Sequence, residues 1–159
     1  MCIVIDTNRI PSIFNPKVSD HREFKPVLKW MRSRKKGMVY GGTKYREELF
    51  RLRGYSSVLE EMGRAGLVHE IDDKMVDEVE KQLIGKTSHA KFNDHAIIAI
   101  VIVSRCKLLC SSDKKSFPFI KEKSLYPAGY EPPRIYSGFG NRKMLYQRDI
   151  LEKCGPCCS

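Results

Sequence analysis

Ile3-Val4-Ile5-Asp6-Thr7-Asn8 is a short apolar run that ends in an acid. Three β-branched residues in succession read as a buried strand. Asp6 follows at the C-terminal end of that strand, where open parallel sheets place their chemistry. Asn8 adds a second polar group on the same side of the turn. The same residues also suit a strand closed by an ordinary Asx-type turn, so the rest of the chain has to decide.

Moving outward, the same pattern returns. Met38-Val39-Tyr40, Leu67 to Ile71, Lys107 to Cys110 and Arg134-Ile135-Tyr136 are further short strands. Between them lie helical spacings. Ser19-Asp20, with Glu23 completing a capping pattern, opens a helix over about 20–35, although Pro26 could confine it to the part beyond. Gly37 ends that helix. Thr43 caps a helix to about Arg53, with Tyr45, Glu48, Leu49 and Leu52 on one face. Glu48 is then an acid on an otherwise apolar stripe, a costly place unless something pairs it. Glu47 lies about 100° round the helix and can point to solvent. A short helix starts at Ser56 or Ser57 and ends near Gly66. Asp72 caps another over Asp73 to Ile84, with Met75, Val76, Val79 and Leu83 inward. Gly85 to Lys91 reads as a polar loop.

The apolar run Ala96 to Val103 has strand propensity, but its length with the Asp94 flank suits a helix, and a strand follows immediately. Asp94 would then lie in the first turn, in line with Ile97, Ile98 and Val101, or act as a plain N-terminal cap. His95 beside it invites a general acid–base reading, but its placement off the Asp94 face favours a surface or capping role. Strands alternating with helices imply βαβ units around a parallel sheet. All strand C-terminal ends then share one edge.

The 159 residues suit one domain, and the composition is that of a soluble globular protein. The longest apolar run falls well short of the roughly 18 residues that would span a bilayer, and no secretory leader is evident, so a cytoplasmic setting is expected. The net charge of +10 favours a polyanionic partner. Much of it sits in segment 17–36, where eight basic residues stand against two acidic ones. Trp30, Arg32, Arg34, Lys35 and Lys36 in that stretch, with Lys114 and Lys115 after the fourth strand, are candidates to bind the phosphates of such a partner. Cys2, Cys106 and Cys110 read as small buried hydrophobes. Cys154, Cys157 and Cys158 crowd a tail that lacks both a second ligand pair for zinc and the strand-then-helix setting of a redox motif.

Asp6 and Asp113 would sit on the shared edge directly, and Glu48 and Asp94 in helical turns beside it. Four converging carboxylates repel, and a divalent cation removes the conflict. Oxygen ligands suit Mg²⁺ or Mn²⁺ rather than Zn²⁺. Two such ions could activate a water and stabilise a leaving oxygen of a phosphodiester.

Asp6-Thr7-Asn8, then Glu48-Leu49, then Asp94 opening an apolar helix, then Ser111-x-Asp113 after a strand, resembles the PIN-domain nucleases over about residues 1–136. The resemblance implies a three-layer α/β/α sandwich with a central parallel sheet. It also implies a Mg²⁺- or Mn²⁺-dependent endoribonuclease, as in the toxins of toxin–antitoxin pairs. Asp6, Glu48, Asp94 and Asp113 match the metal-binding and catalytic acids, with Glu47 as the fallback for Glu48. Asn8 matches the polar group that accompanies the first acid. Ser111 takes the place of the usual threonine and is expected to orient Asp113 or a metal-bound water. A cognate antitoxin and pairing into a homodimer belong to the same expectation.

The chain departs from the family where Lys114, Lys115 and Ser116 follow Asp113, since many toxin-type members carry another acid there; this weakens the case for a second metal. Residues 137–159 form an extension outside the pattern, with a helix expected over Arg142 to Lys153. A different class of function is a basic RNA- or protein-binding module whose acidic pocket is not catalytic. A phosphotransfer domain fits poorly, because position 8 is Asn where a phosphatase needs a second acid and no acidic pair marks a receiver.

Overall fold

Successive residues of the first strand face opposite sides of a sheet, and both sides are buried. Cys2 and Val4 join one apolar cluster, Ile3 and Ile5 the other, as the two-residue period of a strand demands. The computed structural model describes residues 1–33, 36–87 and 93–147. Its elements in chain order are β1 (Cys2–Ile5), α1 (Ile10–Phe14), α2 (His21–Ser33), β2 (Gly37–Tyr40), α3 (Thr43–Arg51), α4 (Ser56–Arg64), β3 (Val68–Glu70), α5 (Asp73–Lys86), α6 (His95–Ser104), β4 (Leu108–Cys110), α7 (Phe117–Ile120) and β5 (Arg134–Tyr136). Short 3-10 turns follow β1, α3 and α7, and another covers Phe139–Tyr146 after β5.

The five strands form one parallel sheet in the order β3-β2-β1-β4-β5. Helices cover both faces, giving a three-layer α/β/α sandwich. One layer of core joins Val4, Val39 and Leu109 to α6 and to Val76 and Leu83 of α5. The other joins Ile3, Ile5, Met38 and Leu108 to Phe24, Val27, Trp30 and Met31 of α2. α6 is buried from His95 through Ile102. A helix apolar all round is one enclosed on every side, which is why the 96–103 run carries a strand-like composition. Among the described residues no helix is long and apolar enough to cross a membrane.

β1 lies at the centre, between β2 and β4. Past the end of β1, the Asp6 N–H still donates to Cys110 O at 2.9 Å. Beyond β4, the Ser111 N–H donates to Tyr136 O at 3.1 Å. These two bonds carry the ladder one residue past the strands and set Asp6 and Ser111 beside each other on the C-terminal edge.

Several local expectations are corrected. Pro26 does not restrict α2, which is helical on both sides of it. The carbonyl that its missing N–H would have bonded belongs to Arg22, an exposed residue, so the lost bond falls on the outer face of the helix. No capping box forms at the start of α2: Asp20 pairs with Arg9 at 2.6 Å, and Glu23 accepts the Phe139 N–H at 2.9 Å. Gly37 opens β2 rather than ending α2. A Cβ there would stand 2.5 Å from the His69 ring and 2.9 Å from Leu67 O, so the glycine answers a close approach of β3. Thr43 begins α3 instead of capping it. The cap is Gly42 at φ 89°, and the Thr43 hydroxyl donates to Asp77 at 2.6 Å. Met75 is 59% exposed, not inward.

In the extension, Phe139–Tyr146 packs on α2 and buries Leu145 completely. It is a 3-10 segment kinked at Asn141, not the start of an α-helix. The remainder of the expected helix and the cysteine tail lie outside the described residues, as does most of the expected 85–91 loop, whose first two residues complete α5.

Candidate active site

Asp6 caps the 3-10 turn after β1. Its Oδ1 accepts the Asn8 N–H at 3.0 Å, the Asx turn expected of such a residue. Its Oδ2 accepts the Ser111 hydroxyl at 2.9 Å. Burial pushes the Asp6 carboxyl above its ordinary value. The two hydrogen bonds and Arg9 oppose that rise, while the nearby Asp94 charge adds to it.

α3 is pinned to the end of β1 by two bonds one turn apart. The Tyr45 hydroxyl donates to Ile5 O at 2.5 Å, and the Thr7 hydroxyl donates to Glu48 Oε2 at 2.6 Å. Spacing of three residues puts Tyr45 and Glu48 on one face, so the helix meets the strand end with a buried phenol and a half-buried carboxylate. Burial first, then the charges of Asp6 and Glu48, push the Tyr45 hydroxyl far above its ordinary value. Tyr45 therefore stays neutral and acts as a strut. Of the two candidate glutamates, Glu48 faces the cleft and Glu47 is exposed.

Asp94 occupies the N-cap position of α6 but makes no side-chain capping bond. Its carboxylate is not spent on the helix, and it faces a cleft of about 260 Å³. Asp6, Asn8 and Glu48 line the same cleft. So do Lys44, whose ammonium donates to Asn93 O at 2.6 Å, and Arg51. His95 is buried, with Nε2 2.5 Å from the Thr87 hydroxyl, so the expected surface or capping role is corrected. Burial and Lys44 lower its pKa against the pull of Asp94, which keeps the ring neutral.

The fourth acid stands apart. Asp113 is exposed and does not line the cleft; its carboxylate accepts the Ser116 hydroxyl at 2.7 Å and the Lys115 N–H at 3.1 Å. Ser111, expected to orient Asp113 or a water, orients Asp6 instead and takes only the Asp113 backbone N–H, at 3.3 Å. The local turn Ser112–Ser116 satisfies Asp113 at home, which spacing along the chain does not reveal.

Thr7, Lys44, Arg51 and Tyr45 join the site without having been expected there. Lys44 precedes Glu48 by four residues, a spacing that shares a helix face, so that one was open to discovery. Thr7 stands inside the Asp6-Thr7-Asn8 motif, but nothing in that motif marks its hydroxyl as the partner of Glu48.

The basic segment is corrected in part. Trp30 is fully buried in the core beneath α2, and Lys36 is 6% exposed with its ammonium 4.8 Å above the Trp30 ring. Neither forms an exposed RNA-binding surface. Arg32 is exposed and continues a stripe of Arg22, Lys25 and Lys29 along the outer face of α2. Lys114 and Lys115 are exposed just beyond β4. Arg34 and Lys35 lie outside the described residues.

The donor set fits a hard divalent cation in kind: Asp6, Glu48, Asp94 and Asn8 offer oxygen only. Among the described residues no three His, Cys, Asp or Glu side chains stand close enough to grip one ion together. Mg²⁺ does not need that, because it keeps several waters and binds through one or two carboxylates. Asp6 and Asp94, which line one cleft and of which the Asp94 charge acts on Asp6, are the pair that would suit it. No protein-family model matches the chain, and no curated protein matches it.

Proposed function

We propose that the protein is a divalent-metal-dependent endoribonuclease of the PIN type that hydrolyses RNA phosphodiester bonds in the cleft at the end of β1. One observation carries this reading: Asp6, Glu48 and Asp94, remote from one another in the chain, line a single cleft in a protein of net charge +10. The Asp94 carboxylate is left free by its helix and the Asp6 carboxyl is destabilised as an anion by burial. Carboxylates kept at such a cost are a mark of function.

In this reading Asp6 and Asp94 would hold Mg²⁺ or Mn²⁺, which would lower the pKa of a water and offset negative charge on the phosphodiester. Ser111 and the Asn8 N–H fix the Asp6 oxygens in direction. Thr7 fixes Glu48, whose other oxygen is placed to accept a proton from a water in the cleft. Lys44 and Arg51 offer positive charge to a phosphate at the rim. The position of Asp113 favours one metal over two, since the fourth acid holds its own turn. The antitoxin and the homodimer draw on the family resemblance alone.

The deciding experiment is cleavage of a mixed single-stranded RNA with Mg²⁺ or Mn²⁺, then with EDTA, beside Asp94→Asn as contamination control. Metal-dependent cutting by the wild type and none by Asp94→Asn is expected. RNA binding without cutting in either protein would replace this reading with that of a basic binding module, which the separation of Asp113 from the other acids favours.

A further inference from the structure

A second and larger hollow lies on the other side of α3. It has a volume of about 580 Å³ and an apolar floor that includes Leu49, Leu59 and Val68. Phe50 stands at its wall, 72% exposed, the most exposed of the large hydrophobic side chains described. An exposed aromatic is ordinary by itself. Its neighbours give it meaning. Leu52 lines both this groove and the acidic cleft, so the two hollows share a wall. Arg51 faces the cleft and Arg53 faces the groove. Phe50, Arg51, Leu52 and Arg53 follow one another in the chain, so the aromatic on the groove has one arginine near it on the groove side and another on the cleft side of the shared wall.

From this we infer that the groove is a nucleobase subsite: a single-stranded RNA held by the cleft passes Arg51 and stacks one base on Phe50, with Arg53 on the phosphate beyond. The inference rests on the ribonuclease reading for its substrate class. Aromatic faces flanked by positive charge are how single strands are held without a sequence code, because every base has a π-face. The acids at the groove do not oppose this strongly. Glu70 is paired with Arg46 at 2.8 Å and accepts the Tyr40 hydroxyl at 3.0 Å, and Arg46 also holds Asp73. That leaves Arg53 and Glu60 in the lining of the groove, with Arg51 on the cleft side of Leu52. A protein helix would use the apolar floor equally well but would not call for a groove continuous with the cleft and an arginine on each side of their shared wall.

The test is equilibrium binding of a short single-stranded RNA in EDTA, by fluorescence anisotropy, to the wild type and to Phe50→Ala, Phe50→Leu and Phe50→Tyr. Copies of the RNA carry one abasic nucleotide at each position in turn. Phe50→Ala and Phe50→Leu should bind about 5- to 100-fold more weakly, the range for one stacked base, and Phe50→Tyr should bind as wild type. One abasic position should weaken the wild type and make no difference to Phe50→Ala. Wild-type affinity in Phe50→Ala, or in Phe50→Leu, overturns the subsite. So does failure of the wild type to bind RNA, or loss of self-association in Phe50→Ala with RNA affinity intact, which would assign the groove to a second copy of the chain. Phe50-dependent binding by a protein that never cuts would leave the subsite standing and remove the nuclease; cutting that ignores Phe50 would do the reverse.

Discussion

Thr7 donates its hydroxyl to Glu48 Oε2 across 2.6 Å, although the two residues stand 41 positions apart. The bond ties the end of the central strand to the helix that supplies the second acid. Thr7 is 4% exposed, so its methyl belongs to the core while its hydroxyl serves the cleft. Thr7→Val keeps the shape and removes the bond. It should fold, and RNA cleavage should fall about 10- to 100-fold, the usual cost of losing a group that orients a metal-site residue. Thr7→Ser should recover most of the rate. Initial-rate measurements on the three proteins check this.

Asp6 sets up a conflict between stability and chemistry. Its carboxyl pKa is raised in the folded protein, mainly by burial. The native state therefore binds that proton more tightly than the unfolded chain does, and the wild type loses stability as pH rises from the ordinary value of 3.8 through the raised one. Asp6→Asn does not titrate. Its Tm should exceed that of the wild type near neutral pH, and the difference should shrink as pH falls through this window. Its cleavage should be abolished. Thermal melts of both proteins across the acid range decide the first point.

Ligand binding to the native state alone raises its stability, by about 2.7 kcal/mol at a hundredfold excess over Kd. Mg²⁺ or Mn²⁺ should thus raise the Tm of the wild type and raise that of Asp94→Asn less. Asp113→Asn should respond like the wild type, because Asp113 does not face the cleft. Differential scanning fluorimetry with and without EDTA reads all three.

The outer stripe of α2 and the tryptophan beneath it should separate cleanly. Lys25→Glu with Lys29→Glu should weaken RNA binding and flatten its dependence on salt, by about 0.7 in the logarithmic slope for each phosphate that is no longer neutralised. Trp30→Ala should cost about 3–5 kcal/mol of stability, as large core truncations do. Trp30→Phe should bind RNA normally at a reduced Tm. Salt titrations of binding and denaturant melts make the comparison.

These contrasts also show where sequence reading succeeds. All five strands were legible, because short runs of apolar, β-branched or aromatic residues set between helical spacings and turn residues read as strands. Asp6 and Glu48, which share a cleft, stood out as acids that close an apolar run or interrupt an apolar helix face, although Asp6 also makes an ordinary Asx turn. Asp94 needed the correct reading of α6 first. Trp30 misled because a dense row of cations surrounds it in the chain, whereas helix geometry turns Arg22, Lys25, Lys29 and Arg32 outward and Trp30 in. Asp113 misled because its partners, Lys115 and Ser116, lie within three residues of it. Local bonds of that kind compete with a distant site, and only coordinates show which wins.

The bond from Ser111 to Asp6 has a consequence in time. The two residues are 105 positions apart, and β1 is hydrogen-bonded on that side by β4 alone. β1 leaves the ribosome before β4, and the strand that completes its flank and the hydroxyl that aims its acid follow only after the residues between them have been made. Until then Asp6 lacks the bond that aims it. On the ribonuclease reading proposed above, the chain would be translated with its first acid still unaimed, beside the very message that its finished cleft could attack.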